Sequence, residues 1–148
     1  TLVLFNYVER HGMPLFELIN NKVGEDRLVF LVHGGVDTED REKARRIAET
    51  THDSIIVASY GTFSTGINIR NLHNVVFASP SKSKIRNLQS IGRVLRKGDH
   101  KTKAVLYDIA DDTTKGSKRN YTLNHLVERV KIYNEENFNY EFIDVRIR

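Results

Sequence analysis

The segment Lys84-Ile-Arg-Asn-Leu-Gln-Ser-Ile-Gly-Arg-Val-Leu-Arg96 carries the residue types and spacing best suited to chemistry. At about 100° per residue on a helix, Leu88, Ile91 and Leu95 fall on one side, fit to pack on a neighbouring layer. Gln89, Arg93 and Arg96 stand at i, i+4 and i+7 and form a stripe on the opposite side. Two guanidiniums so spaced suit phosphoryl oxygens, because arginine keeps its charge and binds such oxygens through paired N–H bonds. Gly92 lies at the edge of the stripe, where a missing side chain lets another group approach the backbone. A mid-helix glycine costs about 1 kcal/mol relative to alanine, so something should compensate for it. An ordinary charged surface stripe accounts for the arginines but leaves this glycine without a reason.

The surrounding charge has the same sign. Lys and Arg exceed Asp and Glu by 23 to 19, a net charge of +4. Between Lys82 and Lys103 lie eight Lys or Arg residues against one acid, Asp99. A basic segment inside an otherwise balanced chain points to a phosphate-bearing partner, although a solvated helix face that aids solubility has the same composition. A second segment, Gly61-Thr-Phe-Ser-Thr-Gly66, has the glycine spacing of a P-loop, but Ile67-Asn68 stands where Lys-Ser or Lys-Thr should follow. Without that lysine and the hydroxyl that binds Mg²⁺, it is not a nucleotide-hydrolysing P-loop. No Asp-Glu pair closes an apolar strand either. The chain therefore holds part of the equipment for nucleotide chemistry and not the whole.

These residues must be positioned by a scaffold, and the apolar pattern shows which. Short runs at residues 1–6, 27–32, 54–59, 74–79 and 104–109 are rich in β-branched and aromatic residues and do not alternate with polar ones. Such runs fit strands covered on both faces, as in a parallel sheet. Between the first two, Pro14 suits a first helical turn, and Leu15, Phe16, Leu18, Ile19 and Val23 supply an apolar stripe. Between the next two, Asp37 or Thr38 can cap a helix whose Ala44, Ile47 and Ala48 face inward. Alternating strands and helices predict an α/β sandwich with right-handed crossovers and helices on both faces. After a polar loop at residues 115–120, Leu123, Leu126, Val127, Val130 and Tyr133 mark a longer amphipathic helix. Ile143, Val145 and Ile147 alternate with polar residues and predict a half-exposed terminal strand.

In open α/β sheets, ligands sit beyond the carboxyl ends of the strands. There the sequence places residues 6–11, His33-Gly-Gly35, residues 59–68 and residues 79–83, rich in Gly, Ser, Thr, Asn and basic side chains. Loops of this make-up offer backbone N–H groups and hydroxyls to phosphate oxygens, and turn chemistry alone favours the same residues. Phe63 and Tyr7 are the aromatics placed to stack on bases; each is expected in the core instead. The six histidines lack metal-ligand spacing, so His11 and His33 are read as structural or phosphate-adjacent, and no metal site is expected.

Length and composition bound the rest. The 148 residues suit a single domain; 39% apolar and 28% charged residues can build a core and a solvated surface. That excludes a disordered or collagen-like chain. No stretch approaches the roughly 18 uncharged apolar residues of a membrane span, and residues before Phe5 lack the pattern of a signal peptide. With no cysteine, neither a disulfide framework nor a thiolate site is available, which suits the cytoplasm.

Gln89-Ser-Ile-Gly-Arg-Val-Leu-Arg96 resembles Q-x-x-G-R-x-x-R, the last signature motif of superfamily 2 helicases. Ser59-Tyr-Gly-Thr-Phe-Ser-Thr-Gly66-Ile-Asn68 is similar to the motif that precedes it, and Leu2 to Asn6 followed by a helix resembles the strand opening the second RecA-like lobe. Order and spacing agree over roughly residues 2–111. The resemblance implies one domain, 1–148, with a RecA-like three-layer core at about 1–111 and a C-terminal helix and strand at 118–148. It implies the second motor lobe of an ATP-dependent DNA helicase or translocase of recombination and repair, inactive alone because the P-loop and the Mg²⁺-binding acids belong to the first lobe. ATP and Mg²⁺ are the implied cofactors, held mainly by that lobe. Single-stranded or branched DNA and the first lobe of the same chain are the implied partners.

By the same resemblance, Arg93 and Arg96 are arginine fingers and Gln89 lies near the γ-phosphate or the attacking water. Gly66, Asn68 and Gly92 approach the nucleotide, with Asn68 where many relatives carry an aspartate that contacts the ribose. Thr62, Ser59, Asn6, Gly34 and Gly35 contact nucleic acid, with Arg10 a looser member of the set. Intact Gln89, Arg93 and Arg96 argue against a non-catalytic binding or docking module. An RNA helicase or restriction-motor lobe stays open, because RNA and DNA present the same phosphates. A dinucleotide-binding oxidoreductase lacks its G-x-G-x-x-G.

Overall fold

The computed structural model describes residues 1–51, 53–64, 69, 72–79, 104–116 and 120–146. All five apolar runs form strands: β1 (Leu2–Phe5), β2 (Leu28–Val32), β3 (Ser54–Ser59), β4 (Asn74–Phe77) and β5 (Val105–Asp108). They pair in the order β2-β3-β1-β4-β5, every neighbour parallel. The central strands β1 and β3 are buried at every residue, which is why their sequences do not alternate. The outer strands β2 and β5 are partly exposed and carry Leu28 and Tyr107 at the surface.

The two-residue strand period sorts the core into two layers. Val3, Phe5, Ile55 and Val57 face one side, where α1 (Met13–Val23) lays Leu15, Phe16, Ile19 and Val23 on them. Leu2, Leu4, Ile56 and Ala58 face the other, against Ala44 and Ala48 of α2 (Thr38–Thr50) and Ile132 and Tyr133 of α4 (Tyr121–Glu135). This is the expected arrangement of helices on both faces. Leu18 departs from the predicted stripe of α1. It is 64% exposed, on the solvent side of its helix.

The α1 face comes close to the sheet because of one glycine. A π-helical turn, Val8–Gly12, leads from β1 into α1, with the Tyr7 carbonyl accepting from the N–H groups of both His11 and Gly12. Gly12 is buried, and a Cβ built there would stand 2.3 Å from the Phe5 ring. Only hydrogen fits at that point of contact.

The C-terminal part differs from expectation in two ways. In α4 the residues buried against the sheet are Arg129, Ile132 and Tyr133. Leu123, Leu126, Val127 and Val130 line a shallow apolar groove with Phe142, and Val130 also packs against the core, so the apolar side of the helix is divided between the core and a surface groove. Beyond α4, Asn137 takes a positive φ of 54° that ends the helix. The tail folds back through ring contacts of Tyr133 with Phe138 and Tyr140, and of Tyr140 with Phe142. Residues 141–146 form no strand, and Ile143 and Val145 are about three-quarters exposed. The alternating pattern is present, but Phe142 packs toward the helix groove, and among the described residues no strand edge accepts the segment. Ile147 lies outside the described residues.

Candidate nucleic-acid and nucleotide interface

Because every strand runs the same way, all five carboxyl ends lie along one edge of the sheet. Across that edge the order is His33-Gly34-Gly35 after β2, Ser59 to Thr62 after β3, Asn6 after β1, Ser79 after β4 and Asp108 at the end of β5. Register pairs Phe5 with Ser59, Val32 with Ala58 and Phe77 with Asp108, so these groups are near neighbours across the sheet.

Asn6 sits between β3 and β4 and ties to the latter. Its backbone N–H donates to Ser79 Oγ at 2.9 Å, and its side-chain amide donates to the Ser79 carbonyl. The amide oxygen remains as its further polar atom. Ser59 caps the short helix α3 (Tyr60–Ser64): its Oγ accepts from the Thr62 N–H at 3.3 Å and lies 2.8 Å from Thr62 Oγ1. Both hydroxyls are buried. After β2, the His33 carbonyl accepts from Val36 N–H, and His33 Nδ1 accepts from Gly35 N–H at 3.1 Å. His33 therefore has a structural role, holding a turn in which Gly34 and Gly35 are exposed. Arg10, on the exposed side of the π-helical turn, makes no ion pair among the described residues.

The two aromatic candidates separate. Phe63 is buried in the core as expected. Tyr7 is not in the core: it is 63% exposed, edge-on to His11 with centroids 5.3 Å apart. The preceding residue, Asn6, turns the chain away from the sheet and leaves Tyr7 outside it.

The sequence reading missed a charged group on the same edge. Asp108 accepts from Arg129 Nε at 2.7 Å, from Arg129 Nη2 at 2.9 Å and from the Tyr133 hydroxyl at 2.7 Å. Arg129 is 1% exposed, and its Nη1 is buried with no hydrogen-bond partner among the described residues. Burial pushes the Tyr133 phenol far above its ordinary value, and the charge of Asp108 adds to the shift. Tyr60 is raised for the same two reasons in the same order, with Arg129 opposing, so its phenol senses this pair as well. The sequence holds an arginine and a tyrosine four apart on α4 and an acid closing β5, but no local pattern pairs them.

Gln89, Gly92, Arg93, Arg96, Gly66 and Asn68 lie outside the described residues. No three His, Asp or Glu side chains among the described residues stand together as metal ligands. No helix among them is long and apolar enough to cross a membrane.

Comparison with known proteins bears on this edge. The family model of the helicase conserved C-terminal domain matches residues 1–98. The ATP-dependent DNA helicase uvsW of Enterobacteria phage T4 is 45% identical across 93% of this chain and 29% of its own length. A protein of Acanthamoeba polyphaga mimivirus named as an ATP-dependent RNA helicase is 30% identical across 84% of this chain and 22% of its own length. The chain thus spans less than a third of the curated relatives it matches. Among solved structures, the C-terminal part of the Fun30 ATPase domain superposes with a TM-score of 0.59 at 17% identity, over 90% of this chain and 48% of that one. The five-stranded parallel sheet is thus RecA-like, as expected. Fold, edge geometry and family model agree, and the chain belongs to the family of helicase conserved C-terminal domains.

Proposed function

We propose that this chain is the second motor lobe of an ATP-dependent DNA helicase or translocase of recombination and repair. The observation that carries the reading is the single edge on which Asn6, Gly34, Gly35, Ser59 and Thr62 are gathered, in a chain so similar to a phage DNA helicase. Backbone amides, hydroxyls and a carboxamide suit phosphodiester oxygens and carry no base code. Gly34 keeps its N–H outside the His33 turn bond, and Arg10 adds an exposed charge on the same side. Thr62 and Ser59 are buried, so they would reach a phosphate only if the turn opened and their mutual hydroxyl contact were exchanged for one to the strand. Tyr7, exposed beside Asn6, supplies a face on which a base can stack.

The nucleotide side of the reading rests on Gln89, Arg93 and Arg96. Phosphoryl transfer spreads negative charge over the equatorial oxygens, and arginines inserted from a second lobe stabilise it, by about 10³ to 10⁵ in rate for known fingers. When bound, ATP with Mg²⁺ supplies the free energy of each cycle. Asp108 is already engaged by Arg129 and Tyr133, which fits Mg²⁺ being held by the first lobe. By the family resemblance, Gly66, Asn68 and Gly92 would approach the nucleotide. Arginines that arrive only on closure couple hydrolysis to a change in grip, and this lobe alone would not turn over ATP. A partner that binds through its backbone predicts strong salt dependence and weak sequence preference.

The test is ATP hydrolysis by the full-length protein with single-stranded DNA, branched DNA and single-stranded RNA as separate activators. Stimulation by DNA that falls steeply with salt supports the reading. Stimulation by RNA alone favours an RNA motor. Binding without stimulation by any activator indicates a non-catalytic module.

A further inference from the structure

We infer that Arg129 is a positioning residue for the nucleic-acid track, locking α4 onto the carboxyl end of β5 and through it setting the Ser59–Thr62 turn. The inference rests on the motor reading above and adds to it a residue far along the chain from every motif.

The physical route is continuous. Arg129 grips Asp108 through two N–H donors, and Tyr133 adds a third bond from the next turn of the same helix. Asp108 is the register partner of Phe77, and Ile109 N–H closes onto the Phe77 carbonyl at 3.2 Å. The Phe77 ring packs against Tyr60 with centroids 5.7 Å apart. Tyr60 lies between Ser59 and Thr62, is 2% exposed, and shares one core cluster with Phe77, Ile132 and Tyr133. A shift of α4 would be passed along these contacts to the ring beneath the Ser59–Thr62 turn.

Stability alone is a poor reason for such a pair. Replacing a buried ion pair with well-packed apolar residues is often neutral or stabilising, because the charges lose their hydration. Here the cost is larger than the minimum, since Arg129 Nη1 is buried without a partner among the described residues. What the pair supplies that an apolar contact does not is direction: a planar fork on a carboxylate fixes helix rotation and height together. The Tyr133 hydroxyl on the same carboxylate oxygen as Arg129 Nε leaves a single orientation for the group.

The experiment separates positioning from stability in the full-length protein. Asp108→Leu, Arg129→Met and Tyr133→Phe are combined so that no charge or hydroxyl is stranded. Thermal unfolding, ATP turnover without DNA, and the DNA concentration giving half-maximal stimulation are then measured. The expected result is unfolding near the wild-type temperature, unchanged DNA-free turnover and a half-saturating DNA concentration raised roughly fivefold. Arg129→Lys, which keeps the charge and loses the fork, provides a second arm if the triple variant unfolds. It should raise the same concentration about two- to threefold at unchanged DNA-free turnover. Wild-type half-saturation in either folded variant overturns the inference and leaves the motor reading intact. Absence of DNA stimulation in the wild-type protein removes both.

Discussion

Two parts of one sheet edge are built from different chemistry. At β1 and β3 the contacts are neutral: Asn6 on Ser79, and Ser59 with Thr62. At β5 they are ionic, with Asp108 fixed by Arg129 and Tyr133. Neutral hydrogen bonds exchange partners at small net cost, whereas a buried charge cannot give up its partner without a penalty of several kcal/mol. Under the motor function proposed above, the first part would be the surface that grips and releases a strand in each cycle. The second suits an anchor that must not move while the first does.

The sharpest way to break this comparison is to strand the charge. Arg129→Ala leaves Asp108 buried with Tyr133 alone and should cost about 3–5 kcal/mol, read as a large fall in the unfolding midpoint of the lobe. A midpoint within experimental error of wild type would mean that β5 is no more firmly anchored than β1. Alkaline pH probes the same part from its tyrosines. Tyr60 and Tyr133 have folded pKa values raised above the ordinary 10.0, so the native state keeps protons that the unfolded chain gives up. Their contribution is full below about pH 10 and is lost above it, at roughly 1.4 kcal/mol per pH unit for each phenol. Among the described tyrosines, absorbance at tyrosinate wavelengths should register these two last, together with unfolding.

Smaller effects are expected at the neutral end. Gly12→Ala drives a methyl into the Phe5 ring and should cost about 1–3 kcal/mol through overpacking. Ser59→Ala removes the cap of α3 and the partner of Thr62, for about 1 kcal/mol. A Ser59→Ala loss as large as that of Arg129→Ala would erase the distinction between the two parts.

The sequence made the strands legible because central parallel strands are apolar on both faces, and β1 and β3 are buried throughout. The same logic places Asn6, Gly34, Gly35, Ser59 and Thr62 on one edge from the sequence alone, since parallel strands end together. It failed where a pattern has more than one physical solution. Alternation at Ile143 and Val145 reads as a strand but says nothing of whether an edge is there to receive it. The stripe on α4 counted apolar residues and passed over Arg129, whose charge suggested solvent; an arginine goes inward only where an acid from elsewhere in the chain meets it. Hydrophobic periodicity does not report that meeting, because Asp108 lies 21 residues away in sequence. The exposure of Tyr7 was missed for a related reason: an aromatic beside a buried strand reads as core unless the turn that ejects it is known.

The central claim, that this lobe reaches across to a nucleotide held by another, is tested most directly by Arg96→Ala in the full-length protein. DNA-stimulated ATP turnover should fall about 10³-fold or more, the loss expected of a finger that acts only in the transition state. Nucleotide affinity should change by less than about tenfold, because the finger contributes little to the ground state. Turnover within about threefold of wild type would contradict the account.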